Sequence, residues 1–217
     1  MEEQWSLIEL FNLGGVFMWP LLAFSIATMA LIIERIGYLF YHSVKVAALT
    51  KTVKDYINNN NIQGACDYLE SQPRRQTAAS ILLVLLQNSK YGENRMEKAA
   101  EGEAYERLRR MENGFNYLTA LSSLAPLTGF LGTVSGMIGA FKSIAAATDV
   151  NAQLVANGIY EALITTVFGL IIAIVALVGY NLLLQRVDTF AAEITKSVNE
   201  LIPALIDRNT NVKSEST

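Results

Sequence analysis

Two long apolar runs near the middle of the chain constrain its fold more than any other feature. They cover residues 121–147 and 159–184, and a short polar turn at 148–158 joins them. A helix needs about 20 predominantly apolar residues to cross the hydrocarbon core of a bilayer. A third apolar run covers residues 16–33 and ends at Glu34 and Arg35. The sequence therefore predicts an all-α, polytopic membrane protein with three transmembrane helices.

The charged residues divide the chain between membrane and water. Residues 35–110 contain 12 of the 17 Lys and Arg residues, whereas residues 1–34 and 148–158 contain none. Basic loops stay in the cytoplasm, so we expect a periplasmic N-terminus and a cytoplasmic C-terminus. Because the N-terminus also lacks the basic segment of a signal peptide, the first run is predicted to be a retained span. The predicted segments are an interfacial N-terminal segment (1–13), a first span (14–35), a cytoplasmic helical domain (36–117), a second span (118–147), a periplasmic turn (148–158), a third span (159–184), and a cytoplasmic helix with a disordered tail (185–217).

The second and third spans are both predicted to extend into the cytoplasmic helical bundle. Apolar residues before the second span recur at spacings of three and four, and Gly114 alone is tolerated in a helix. We therefore expect one helix from about Glu93 to about Ala147. After the third span the same spacing continues until Pro203, and the polar tail from Asp207 is predicted to be disordered. The apolar segment 78–86 is too short to span a bilayer, so it is predicted to be a buried helix of the bundle.

One face of the second span consists of small residues and one hydroxyl. Successive residues of a helix are turned by about 100°, so the small residues and the threonine of this face all lie within about 80° of Gly129 around the helix axis. Such faces let helix backbones approach closely in lipid, which explains most of the glycines as packing residues. Thr133 lies among them, either bonded to its own helix backbone or free for another role. The glycines assigned to this packing or pore face are Gly129, Gly132, Gly136 and Gly139, with Gly169 on the third span.

The third span has a similar face, with Thr165 and Thr166 at its centre and Glu161 at its edge. Hydroxyls and a carboxylate are costly in lipid, so they are expected to face protein or water. Glu161 is either a solvated carboxylate at the membrane surface or part of a pathway. A small, hydroxyl-bearing face opposite an apolar one suits a helix that lines a narrow passage. We therefore predict a proton pathway lined by Thr133, Thr165, Thr166 and Glu161.

No Asp, Glu, Lys, Arg or His lies at the bilayer midplane of any predicted span. Hydroxyls relay a proton but do not store one near neutral pH. If protons cross here, the titrating group must come from another chain, which implies a partner helix with its own carboxylate. Several copies of this protein would enclose that helix.

The remaining composition excludes several classes of function. Cys66 and His42 are the only residues of their types, so no internal disulfide and no Cys/His metal cluster can form. We expect Cys66 to be a small buried or interface residue and His42 to lie at the membrane surface. The net charge is −3 and no basic patch with aromatics occurs, so nucleic acid is not an expected partner. The sequence predicts no cofactor and no metal site.

The motifs of all three spans resemble those of the ExbB/TolQ/MotA family. The second span carries APLTGFLGTV at residues 125–134, and the third carries GIYEALITT at residues 158–166. The first carries Gly14-Gly15, MWPLL at residues 18–22, and Glu34-Arg35. Three spans and this length resemble the ExbB/TolQ branch more than the four-span flagellar stators. The resemblance covers nearly the whole chain in order.

The resemblance implies an energy-transducing complex of the bacterial inner membrane. Such proteins form pentamers around the transmembrane helices of an ExbD/TolR-like partner, whose midspan aspartate carries protons. The proton motive force then drives envelope work through a TonB- or TolA-like protein. By motif position, Thr133 and Thr166 would face the pore near that aspartate, and Glu161 would lie at the periplasmic mouth.

Two other functions are weighed against this one. A membrane scaffold would use the glycine faces only to pack helices and the bundle to bind partners. An intramembrane enzyme would need a catalytic motif, and the chain has no His-Glu-x-x-His, no Gly-x-Ser-x-Gly and no pair of midplane carboxylates. We therefore predict that the protein is not an enzyme.

Overall fold

A computed structural model describes residues 7–41, 46–73, 75–146 and 152–215 of the chain. Every regular element in these ranges is helical, and three helices are long and apolar enough to cross a membrane. The predicted all-α fold with three candidate spans is therefore confirmed. The helices are α1 (Leu7–Leu13), α2 (Met18–Tyr41), α3 (Val46–Asn58), α4 (Ile62–Ser71), α5 (Thr77–Gln87), α6 (Glu93–Met111), α7 (Phe115–Ala146) and α8 (Ala152–Glu215), with a short 3₁₀ turn at Ser89–Tyr91.

The chain divides into two compact units, and α8 contributes residues to both. The first unit comprises residues 1–34 and 114–182, and the second comprises residues 35–113 and 183–217. The candidate membrane spans supply the first unit, and the predicted cytoplasmic helices supply most of the second.

The first unit has a small core between α1, α2, α7 and α8. Leu10, Phe11, Phe24 and Phe168 pack against its buried centre, and Phe11 meets Trp19 edge to face at 5.3 Å. Many large apolar side chains of α2, α7 and α8 point outward instead, as expected for helices whose outer surfaces contact lipid or other helices. The buried centre consists of Met18, Leu21, Ala125, Ile164 and Ile172.

The second unit is built around α5. This helix packs against α4 and α6, and most of its apolar side chains are buried. Segment 78–86 is therefore a buried helix, as predicted, and its cytoplasmic location stays a prediction. Glu103 and Arg107 form an ion pair at 2.7 Å on α6, as their i,i+4 spacing suggests. At the surface, Lys54 of α3 pairs with Glu200 of α8 at 2.6 Å.

The expected continuous helix from Glu93 to Ala147 is wrong. α6 ends at Met111 and α7 begins at Phe115, so the chain breaks between them. Gly114 has φ of +90°, a left-handed conformation that cannot occur inside an α-helix. The apolar spacing continues across this break, which is why the pattern alone predicts one helix.

α8 is longer at both ends than the sequence predicts. It begins at Ala152, so residues 152–158 are helical rather than part of the periplasmic turn. It also continues through Pro203 to Glu215, and the prediction of a disordered tail from Asp207 is wrong for these residues. Proline removes one backbone hydrogen bond, but Leu201, Ile202 and Leu205 around it are buried and hold the helix in place. His42 and residues 147–151 lie outside the described ranges.

Cys66 on α4 is half-buried, and its surroundings disfavour the thiolate. Burial raises the pKa of its thiol, and the nearby carboxylates of Glu70 and Asp67 raise it further. A raised pKa leaves less thiolate at neutral pH, so alkylation should be slow there. We expect the midpoint of the pH profile of iodoacetamide labelling to be higher in the native chain than in the urea-unfolded chain. A native midpoint at or below the unfolded one would contradict this assignment.

A buried hydroxyl pair links α3 to α8 in the second unit. Thr50 and Ser197 are both 5% exposed, and the Thr50 hydroxyl donates to Ser197 Oγ at 2.7 Å. We expect Thr50→Val to destabilise the unit by about 1 kcal/mol, because Ser197 loses a buried donor. Thr52→Val is the matched control, since the exposed Thr52 hydroxyl bonds only its own helix at Ala48 O. Thermal unfolding of the full chain in detergent measures the stability of both variants. Equal unfolding midpoints for the two variants would refute the hydroxyl link between α3 and α8.

Candidate functional site

The small faces of α7 and α8 pack directly against each other. A methyl group placed on Gly129 would lie 2.7 Å from the carbonyl oxygen of Thr165 and 3.1 Å from Thr166 Cα. A methyl on Gly169 would lie 2.6 Å from the carbonyl oxygen of Ala125. These distances are below van der Waals contact and involve backbone atoms, which cannot rotate away. Glycine at both positions is therefore what lets the two helix backbones touch.

The same contact extends along both helices toward the C-terminal end of α7. A methyl on Gly132 would meet the side chain of Thr165 at 2.4 Å, and one on Gly136 would meet Gly158 O at 3.0 Å. Gly139 differs, because no heavy atom lies within 4 Å of a methyl placed there. Gly139 therefore makes no close helix contact within one chain, and its assignment to the packing or pore face stays a prediction. Gly139 lies at the edge of the small face, about 80° from Gly129, and so points past the neighbouring helix.

Two threonines of α8 converge on one carbonyl group of α7. Thr166 is half-buried and donates to Gly129 O at 3.3 Å. Thr165 is 1% exposed, donates to Ala162 O at 2.8 Å, and lies 3.3 Å from the same Gly129 oxygen. Thr165 therefore lies inside the helix pair of a single chain, whereas Thr166 reaches its surface. The two residues are adjacent in sequence, and the 100° between them separates these environments.

Thr133 is half-buried on α7 and bonds within its own helix. Its hydroxyl donates to Phe130 O at 2.7 Å, so the structure does not join it to the threonine pair of α8. A hydroxyl that donates its proton to a backbone carbonyl keeps its lone pairs available to a further donor. Thr133 and Thr166 can both accept a hydrogen bond in this way.

Glu161 is half-buried on α8, one helical turn before Thr165. Its carboxylate lies against the turn between α1 and α2, where a methyl on Gly15 would come within 1.8 Å of its Oε1 atom. Both residues belong to motifs of the predicted spans, but the sequence does not predict that they touch. The Gly14-Gly15 pair was the available signal, since adjacent glycines mark a close approach or a left-handed turn.

The site offers hydroxyl groups but no titratable group at membrane depth. Between Glu161 and Arg186, α8 has no Asp, Glu, Lys, Arg or His, and Lys142 near the C-terminal end is the single charged residue of α7. In the ranges that the structure describes, no three His, Cys, Asp or Glu side chains cluster as a metal site would require. The hydroxyls can accept a hydrogen bond and relay a proton, but they cannot store or release one near neutral pH.

Comparisons with known proteins give matches that include both helices of the site. The model of the MotA/TolQ/ExbB proton channel family matches residues 70–196, which is more than half of the chain. An ExbB-like biopolymer transport protein of Synechocystis sp. is 31% identical over 193 residues, 86% of this chain and 75% of the relative. The biopolymer transport protein exbB1 of Vibrio cholerae is 30% identical over 196 residues, 89% of this chain and 86% of the relative. The Tol-Pal system protein TolQ of Haemophilus influenzae is 37% identical over 95 residues, 44% of this chain and 42% of the relative.

Proposed function

The chain belongs to the MotA/TolQ/ExbB proton channel family, and from that premise we propose that it is a subunit of an inner-membrane, proton-driven energy-transducing complex. Its relatives are named as biopolymer transport and Tol-Pal system proteins. The proposed complex uses the proton motive force to power work at the outer membrane or elsewhere in the envelope. The observation that carries the proposal is a pair of packed spans that present hydroxyls without any midspan acid or base.

The missing titratable group assigns part of the pathway to a partner. A partner of the ExbD/TolR type would supply a single span with a midspan aspartate and would act on a TonB- or TolA-like protein. Thr133 and Thr166 would accept a hydrogen bond from that acid when it is protonated, because both hydroxyls already donate to backbone carbonyls. Glu161 would receive or release protons at the periplasmic mouth.

The remaining residues of the predicted site have a supporting role in this proposal. Thr165 is buried between α7 and α8, so it would fix the spacing of the helices rather than touch the partner directly. Gly129, Gly132, Gly136 and Gly169 keep the two backbones in contact. A rigid helix pair is useful here, since a relay works only while its hydroxyls stay at hydrogen-bonding distance.

The protein is proposed to act as a homo-oligomer, with the N-terminus in the periplasm and the C-terminus in the cytoplasm. The charge distribution supports this orientation, since the Lys and Arg residues concentrate in 35–110 and after residue 185. The pentamer suggested by the family resemblance would place five helix pairs around the partner. Native mass spectrometry of the purified complex measures the number of copies directly.

The alternative function is a membrane scaffold that conducts no protons. The glycine faces already pack against each other within one chain, so the glycines need no role in proton conduction. This packing favours the scaffold. Proton flux separates the two functions, measured in liposomes that contain the purified chain and its ExbD/TolR-like partner. A pH gradient should drive flux through a conducting complex, whereas a scaffold would assemble to the same extent and leave the gradient intact.

A further inference from the structure

The turn between α1 and α2 is built from two glycines that hold distinct positions. The Gly14 N–H donates to Leu10 O at 3.1 Å and closes α1, and the Met18 N–H donates to Gly15 O at 3.2 Å and opens α2. Gly15 has φ of +65°, a conformation that residues with a Cβ atom rarely adopt. The left-handed backbone at Gly15 therefore separates the two helices.

This turn is seated against the beginning of the third span. A methyl on Gly15 would lie 1.8 Å from Glu161 Oε1 and 2.8 Å from Glu161 Cδ. A methyl on Gly14 would lie 3.3 Å from Ile164 Cγ2 and 2.4 Å from Met18 Cγ. The two glycines thus face positions 161 and 164, which are neighbours on one side of a helix.

Side chains of both α1 and α2 pack on either side of the turn. Leu10 and Phe11 of α1 pack against the buried centre of the first unit, which includes Met18 and Ile164. Phe11 also contacts Trp19 of α2 edge to face. The backbone of Gly15 is therefore held in place, so a methyl added there would displace the flexible, half-buried side chain of Glu161 rather than the turn.

We propose that Gly15 is a positioning residue for Glu161, and that the Gly14-Gly15 turn fixes where this carboxylate lies at the outer end of α8. A glutamate side chain has three rotatable bonds, and a neighbouring surface that excludes part of its range limits where the carboxylate can go. This inference rests on the proposed function only for the task of Glu161, because the contact itself exists whether or not protons pass.

A double-mutant cycle on the full chain tests the contact by thermal unfolding in detergent. We expect Gly15→Ala to lower the midpoint, because the new methyl adds a strained left-handed backbone and displaces the Glu161 carboxylate. In a Glu161→Ala background the Gly15→Ala shift should be smaller, because the colliding carboxylate is gone. A Gly15→Ala shift that is equally large with and without Glu161 would overturn the proposal.

Rescue by a shorter acid separates positioning from a general structural role. Aspartate at position 161 withdraws the carboxylate by one methylene, so Gly15→Ala/Glu161→Asp should regain the part of the stability and accumulation that Gly15→Ala loses to the collision. Proton flux per assembled complex with the partner should fall in Gly15→Ala and return in the double variant to the level of Glu161→Asp alone. A double variant no better than Gly15→Ala in stability and accumulation would refute the inference. Wild-type flux in Glu161→Gln would instead refute the proposed task of Glu161, while the stability cycle would still decide the contact.

Discussion

Replacing Gly129 with alanine is expected to force α7 and α8 apart. The added methyl would lie 2.7 Å from Thr165 O and 3.1 Å from Thr166 Cα, both of which belong to a helix backbone. Overpacking of this kind costs about 1–3 kcal/mol, and here it also displaces the carbonyl that receives the Thr166 hydroxyl. We expect a lower unfolding midpoint for the full chain in detergent and a loss of proton-driven activity.

Gly139→Ala is the matched control on the same helix. No heavy atom lies within 4 Å of the new methyl, and alanine is more favourable than glycine inside a helix by about 1 kcal/mol. Gly139→Ala should therefore leave the stability unchanged or raise it slightly. If Gly129→Ala is as stable as Gly139→Ala, the result would contradict a direct backbone contact between α7 and α8 at Gly129.

Removing the hydroxyl at position 166 or 133 is expected to slow proton-driven activity while the complex still assembles. Valine has nearly the same shape as threonine, so Thr166→Val and Thr133→Val delete an oxygen and keep the packing. A hydrogen bond between neutral groups is worth about 0.5–1.5 kcal/mol, which corresponds to roughly two- to tenfold in rate. Serine at either position should retain activity because it keeps the hydroxyl.

Thr128→Val is the control for this pair of substitutions. Thr128 is a half-buried residue of α7 whose hydroxyl donates to Leu124 O at 2.9 Å, and it lies about 100° away from Gly129 on the helix. It should therefore behave as wild type in flux and in assembly. Wild-type flux in both Thr133→Val and Thr166→Val would exclude these hydroxyls from the pathway.

Much of the fold follows from the hydrophobic pattern. Three apolar runs predict three candidate spans, and the segment 78–86 is recognised as buried because it is apolar on all sides but too short to cross a bilayer. The bounds of α4 also follow, since Asn61 caps its start by accepting from the Gly64 N–H at 2.8 Å and Pro73 follows its end. These features depend on local chemistry, which the sequence displays directly.

The failed predictions share a physical cause, which is that tertiary contacts overrule local signals. Gly114 is compatible with a helix by composition, but its left-handed backbone separates α6 from α7. Pro203 is a helix breaker by composition, but the buried residues around it keep α8 continuous. Thr165 and Thr166 share a face on a helical wheel, and only the position of α7 decides that Thr165 is enclosed. The contact of Gly15 with Glu161 joins residues 146 positions apart in sequence, so no local pattern predicts it.

Proton flux in liposomes is the most direct test of the claim that this chain supplies hydroxyls and its partner supplies the acid. Three preparations are compared under the same pH gradient: the chain alone, the chain with its ExbD/TolR-like partner, and the chain with a partner whose midspan aspartate is changed to asparagine. We predict flux only in the second preparation, because hydroxyls cannot store a proton near neutral pH. Equal flux through the chain alone would show that the pathway is complete without a partner and would contradict the account.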